Sequence, residues 1–66
     1  MEIFLERENK TINIEIKNKK SLIEILKQLN ISNDSVILVK NNNICLEDEI
    51  VSNKDKIKIL SVVSGG

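Results

Sequence analysis

Lys56-Ile57-Lys58-Ile59-Leu60-Ser61-Val62-Val63-Ser64-Gly65-Gly66 is the stretch whose reading decides the fold. Lysine and isoleucine alternate at its start, the period of two that marks a strand with one wet and one buried face. The apolar, β-branched run continues to Val63 and meets no glycine until the final pair, so a last strand is expected over Lys56–Val63. A tail of Ser64, Gly65 and Gly66 then follows, giving a domain of residues 1–63 and a tail of 64–66.

The elements upstream say where that strand must go. Glu2–Glu8 and Thr11–Lys17 read as two strands. In the first, Ile3 and Leu5 face inward while Glu2, Phe4 and Glu6 face out; in the second, Ile12, Ile14 and Ile16 share one face. Glu8-Asn9-Lys10 is short enough for a hairpin, and Asn9 tolerates a left-handed turn conformation. Ser21-Leu22-Ile23-Glu24 fits a capping box that opens a helix, whose apolar stripe is Leu22, Ile25, Leu26 and Leu29 and whose stop is Asn30. Val36–Val39 is a short continuous apolar run, Asn41-Asn42-Asn43 a turn, and Ile44-Cys45-Leu46 a brief answering strand. Ile50-Val51 is expected to form one helical turn, with Ser52–Asp55 a loop before the last strand. Right-handed crossover then puts the last strand beside and parallel to the first, at the centre of a mixed sheet of four to five strands packed on one helix. That is the α+β, ubiquitin-like β-grasp arrangement.

Composition narrows the chemistry. Sixty-six residues make a single domain near the lower size limit for an unaided core. With one cysteine and no histidine, the chain has neither an internal disulfide nor an imidazole for a zinc site or a catalytic relay. The apolar 41% is almost entirely Ile, Leu and Val, with Phe4 the sole aromatic, so aliphatic packing must hold the fold. Ten acidic and ten basic residues are interspersed, without the basic face that nucleic acid would need. There is no signal-peptide pattern at the start and no apolar run of the roughly 20 residues that span a bilayer, so a cytoplasmic protein is expected. An enzyme is not: glycine occurs only at the end, leaving no phosphate-cradling loop.

A diglycine end alone fits a solvated tail as well as it fits a reactive one. Its chemical distinction is an α-carboxyl on a residue with no side chain, able to lie in a narrow channel. Strand phase suggests what surrounds it. Lys56 and Lys58 face water, so Leu60 and Val62 face the same way, and Phe4 points outward on the neighbouring first strand. Phe4, Leu60 and Val62 thus form a candidate partner-binding patch, unless a bulge turns Leu60 and Val62 inward. Cys45, between Ile44 and Leu46, reads as a small hydrophobe. Glu47-Asp48-Glu49 reads as a solvated acidic turn in preference to a metal or partner contact, and Ser64 as a spacer.

On the element order, the passage Val39-Lys40-Asn41 with Ile44 following, and the ending from Lys54-Asp55-Lys56-Ile57-Lys58-Ile59 to Gly65-Gly66, the chain resembles the ubiquitin-like sulfur carriers of the ThiS/MoaD group, most of all the thiamine-pathway type. The resemblance covers essentially the whole chain. It departs at Asn42 and Lys54, where the family often has glycine. It implies that a ubiquitin-activating-like enzyme of the ThiF or MoeB type uses ATP to adenylate the Gly66 carboxylate, and that sulfur from a cysteine persulfide then yields a thiocarboxylate at Gly66. It also implies a sulfur acceptor such as thiazole synthase, with no cofactor or metal bound by the carrier itself. Rival readings within the group are the small subunit of molybdopterin synthase, whose tails commonly carry prolines that are missing here, and a protein modifier or tRNA-thiolation donor. A passive β-grasp interaction module is the rival from another class.

Overall fold

The computed structural model describes residues 1–62. Val63 and the tail residues Ser64, Gly65 and Gly66, on which the tail expectation falls, lie outside the described residues; the last strand ends earlier than expected, at Ser61, with Val62 already beyond it. Among the described residues, seven strands, β1 (Glu2–Leu5), β2 (Lys10–Asn13), β3 (Lys20–Ser21), β4 (Val36–Lys40), β5 (Asn43–Cys45), β6 (Ile50–Val51) and β7 (Lys56–Ser61), accompany one helix, α1 (Leu22–Gln28). The main sheet runs β2-β1-β7-β4-β5, while β3 and β6 form a separate two-stranded ribbon. β7 lies parallel to β1 with Ile3 opposite Ile57, and antiparallel to β4 with Leu38 opposite Ile59. The β-grasp topology is therefore as expected, with the last strand in the middle.

One cluster forms the core. Ile3 and Leu5 from β1, Leu38 from β4 and Ile57 and Ile59 from β7 meet Leu22, Ile25 and Leu26 of α1, with Met1, Ile16 and Val51 closing the ends. Burying each of the larger side chains contributes about 1.5–3 kcal/mol. The helix ends on Asn30 at φ 59°: the Ile31 amide donates to the Leu26 carbonyl (2.9 Å) and the Asn30 amide to that of Lys27 (3.1 Å), a Schellman closure with asparagine where glycine is usual. Among the described residues, the other non-glycine positions with positive φ are Asn9, Asn41 and Asn42. Asparagine thus supplies every left-handed turn, including the two-residue Asn41-Asn42 hairpin between β4 and β5. Lys54 needs no glycine either, because its loop closes without positive φ through the Asp55 amide on the Ser52 carbonyl (3.1 Å).

Several local expectations are corrected. β1 ends at Leu5, and Glu6–Glu8 coils into a 3-10 turn, because no apolar residue after Leu5 holds the sheet phase. β2 stops pairing at Asn13 because β1 runs out: Ile14 still bonds Met1 in both directions (2.9 and 2.7 Å), and beyond it Asn53 takes over. The Asn53 side chain accepts from the Ile16 amide (2.8 Å) and donates to its carbonyl (2.7 Å), a substitute for a strand partner. Ser21 does occupy the cap position of α1, but its side chain makes no capping bond. The free amides of Leu22 and Ile23 go instead to the carbonyls of Glu49 (2.9 Å) and Glu47 (2.8 Å). Finally, Ile50–Val51 is not a helical turn; it is β6, paired with Lys20–Ser21, and it buries Val51.

Candidate functional site

One face of the sheet is filled by α1, and the other has no described element over it. Register identifies what that open face carries. Thr11, Phe4, Lys58, Val39 and Ile44 follow one another across β2, β1, β7, β4 and β5, and Leu60 lies opposite Ile37 in the next row. Phe4 and Leu60 sit diagonally on adjacent parallel strands, both half-buried, which places two of the three candidate patch residues together. Lys56 and Lys58 are exposed on the same face, as strand phase predicts, and β7 shows no bulge through Ser61.

Val62 follows two residues on from Leu60. It is exposed just past β7 and borders a cleft at the end of the sheet, together with Leu5, Leu29, Ile31 and Ile59 from the core side. Its amide donates to the Ser35 carbonyl (3.0 Å), while the Ser61 amide donates to Glu6 Oε1 (2.9 Å). The end of β7 is thereby held from both sides, by the 3-10 turn after β1 and by the turn Asn33–Ser35 before β4. The backbone is thus held by hydrogen bonds as far as residue 62.

Comparison with known proteins gives the open face and the held end of β7 a context. Residues 3–66 match the ThiS family over their whole span. The chain belongs to the ThiS family. It is also similar to the sulfur carrier protein TtuB of Thermus thermophilus, with 28% identity over 53 residues, which covers 80% of this chain and 82% of that protein. Its functional class is that of the sulfur carriers.

In this ThiS-family chain, the remaining chemically suggestive residues have structural roles. Cys45 lies opposite Leu38 on the core side and packs against the core. Partial burial raises its thiol pKa above the ordinary 9.0 and the nearby Glu49 charge adds to that, with Lys40 acting the other way. A raised pKa disfavours the nucleophilic thiolate, in keeping with Cys45 as a packing residue. The acidic turn caps the helix through its backbone, and Lys40 Nζ ties it down by donating to Glu49 Oε1 (3.1 Å) and to the Ile50 carbonyl (3.0 Å). Among the described residues there is no cluster of acidic or cysteine side chains suited to a metal ion, and no helix is long and apolar enough to cross a membrane.

Sequence reading missed Ile37, Val39 and Ile44 as members of the open face. The run Val36–Val39 carries no alternation from which to tell its two sides, and only its register against β7 separates Leu38, in the core, from Ile37 and Val39. The alternation of Lys58 with Ile57 and Ile59 was the usable signal, once β4 was known to pair with that strand.

Proposed function

We propose that this chain is a sulfur carrier for thiazole formation in thiamine biosynthesis, working in the cytoplasm as the co-substrate of other enzymes and binding no cofactor itself. Its reactive group is the α-carboxylate of Gly66. A ubiquitin-activating-like enzyme of the ThiF or MoeB type transfers AMP from ATP to that carboxylate, with loss of pyrophosphate. A partner's cysteine persulfide then attacks the acyl carbon and expels AMP, leaving an acyl disulfide; a second thiol attacks the partner's cysteine sulfur, breaking the S–S bond to form a disulfide with it and release the thiocarboxylate that thiazole synthase consumes. The observation that supports this reading is the family match, which extends to residue 66 and so includes Gly65-Gly66.

The carrier's own contribution is physical. Ser64 and Gly65 act as a slim spacer, and a side chain on Gly66 would crowd the attacked carbon. Phe4 and Leu60, joined by Ile37, give the activating enzyme an apolar footing, with Lys58 between Phe4 and the buried Val39 fixing orientation by charge. Val62 contributes at the rim, just past the end of β7. The lack of proline ahead of Gly65-Gly66 favours the thiamine assignment over a molybdopterin synthase subunit.

Mass spectrometry tests the reading directly. After incubation with activating enzyme, ATP and a persulfide donor, the parent chain should gain the mass of an oxygen-to-sulfur exchange, while Gly66→Ala and a chain lacking Gly66 should not. The same product on either variant would refute the assignment of Gly66. Charged carrier offered separately to thiazole synthase and to the large subunit of molybdopterin synthase then distinguishes the pathways, and isopeptide-linked products in a lysate would indicate a protein modifier.

A further inference from the structure

β7 loses its neighbour on one side before it ends. Its parallel pairing with β1 stops at Leu5 opposite Ile59, while its antiparallel pairing with β4 continues to Val36 opposite Ser61. Among the described residues, no strand lies on the β1 side to receive the amide of Ser61. Glu6 takes that place. Its Oε1 accepts from the Ser61 amide at 2.9 Å, across 55 residues of sequence. The 3-10 turn after β1 presents this carboxylate: the Glu6 carbonyl accepts from the amide of Asn9 (3.1 Å), and Asn9 is left-handed at φ 49°. The two acidic side chains of the turn divide the work, Glu8 pairing with Lys10 (3.3 Å) and Glu6 reaching β7.

We propose that Glu6 is a positioning residue for the charging of Gly66, a role that rests on the sulfur-carrier reading above. Gly66 lies four residues beyond Val62, and four residues of fully extended chain span at most about 14 Å. A tether that short has little slack, so the placement of Ser61 and Val62 limits where the acyl carbon can be presented. Glu6 holds Ser61 on one side, and the Ser35 carbonyl holds the Val62 amide on the other (3.0 Å), before any partner arrives. Without Glu6 the strand end keeps its bonds to the β4 side alone and has to be ordered on binding. That loss falls on capture of the carrier by the activating enzyme, and not on the chemical step once the carboxylate is seated. The pin is an exposed side chain outside the core cluster, so its removal leaves the packing of the domain untouched. Its oxygen does the holding, and a glutamine amide offers one in the same place.

The test compares Glu6→Ala and Glu6→Gln with the parent chain in two measurements. One is amide hydrogen exchange by NMR; the other is ATP–pyrophosphate exchange with an activating enzyme of the ThiF or MoeB type. In Glu6→Ala the Ser61 amide should exchange faster while those of Ile57 and Ile59 keep their rates. KM for the carrier should rise by roughly three- to tenfold, the range that one net hydrogen bond is worth, with kcat nearly unchanged. Across the three chains, KM should follow the protection of Ser61. An unchanged Ser61 amide, equal KM for parent and Glu6→Ala, or a loss carried by kcat would overturn the proposal. So would a Glu6→Gln chain that protects Ser61 yet shares the KM of Glu6→Ala, which would make the charge of Glu6 a direct contact with the enzyme. A parent chain that supports no exchange would instead remove the carrier reading, and this role with it.

Discussion

The two faces of the main sheet use the same aliphatic vocabulary and meet different fates. On one, Ile3, Leu5, Leu38, Ile57 and Ile59 close against Leu22, Ile25 and Leu26 of α1. On the other, Phe4, Ile37 and Leu60 lie across the same three strands, interrupted by Lys58 and by Val39, which its neighbours bury, with no described element above them. A chain with one helix can seal only one face. The covered face supplies stability, and on the docking proposal made above the open one keeps apolar surface for a partner, broken up by Lys56 and Lys58. If this division is right, the same kind of substitution should have opposite consequences on the two sides.

Leu26→Ala, on the covered side, removes a fully buried side chain and should destabilise the domain by about 2–5 kcal/mol, read from the midpoint of urea unfolding. A loss well under that would mean that the helix is not the clamp described here. On the open side, Leu60→Asp should leave the unfolding midpoint and circular dichroism nearly unchanged but cut activation by the adenylating enzyme by about tenfold or more, the loss expected of a central contact residue. Equal activation rates for parent and variant would remove the open face from the docking account.

Smaller effects test how the cover is held in place. Asn30→Ala forces a left-handed residue without asparagine's tolerance and should destabilise by about 1 kcal/mol, whereas Asn30→Gly should not. A similar loss in both would locate the effect in the asparagine side chain. Asp55 fastens the loop before β7, accepting from Asn41 Nδ2 (2.9 Å) and from the Ser52 amide (2.7 Å). The Asn41 bond first, and then the Ser52 amide, hold its pKa below the ordinary 3.8 despite some desolvation. Folding therefore favours the ionised form. The contribution is complete above pH 3.8 and disappears as pH falls through the lower folded-state value. Asp55→Asn should flatten the acid limb of a stability–pH curve in that window, and parallel curves for parent and variant would argue against the linkage.

How much of this could be seen in the sequence depended on whether the deciding contact was local. The phase of β7 was readable because lysine and isoleucine alternate there, and the turns at Asn9, Asn30 and Asn41-Asn42 were readable because asparagine tolerates the backbone they need. The ribbon of β3 and β6 was not, since Lys20-Ser21 and Ile50-Val51 are too short to carry a period and become strands only on meeting each other. The Ser21 cap was misread for a related reason: local pattern favoured a side-chain bond, and tertiary structure delivered two carbonyls from the 47–49 turn first. On the open face, Phe4 and Leu60 could be inferred from alternation, but Ile37, Val39 and Ile44 required the register.

The central position of β7 has a consequence for how the protein is made. A ribosome delivers the strands in chain order, and until Lys56–Ser61 emerges, β1–β2 and β4–β5 are two hairpins with no neighbour to join them. A prematurely released polypeptide is thus left without its keystone and open to proteolysis. Biosynthesis carries its own proofreading, because only translation that has reached the segment leading to the glycines yields a molecule able to fold.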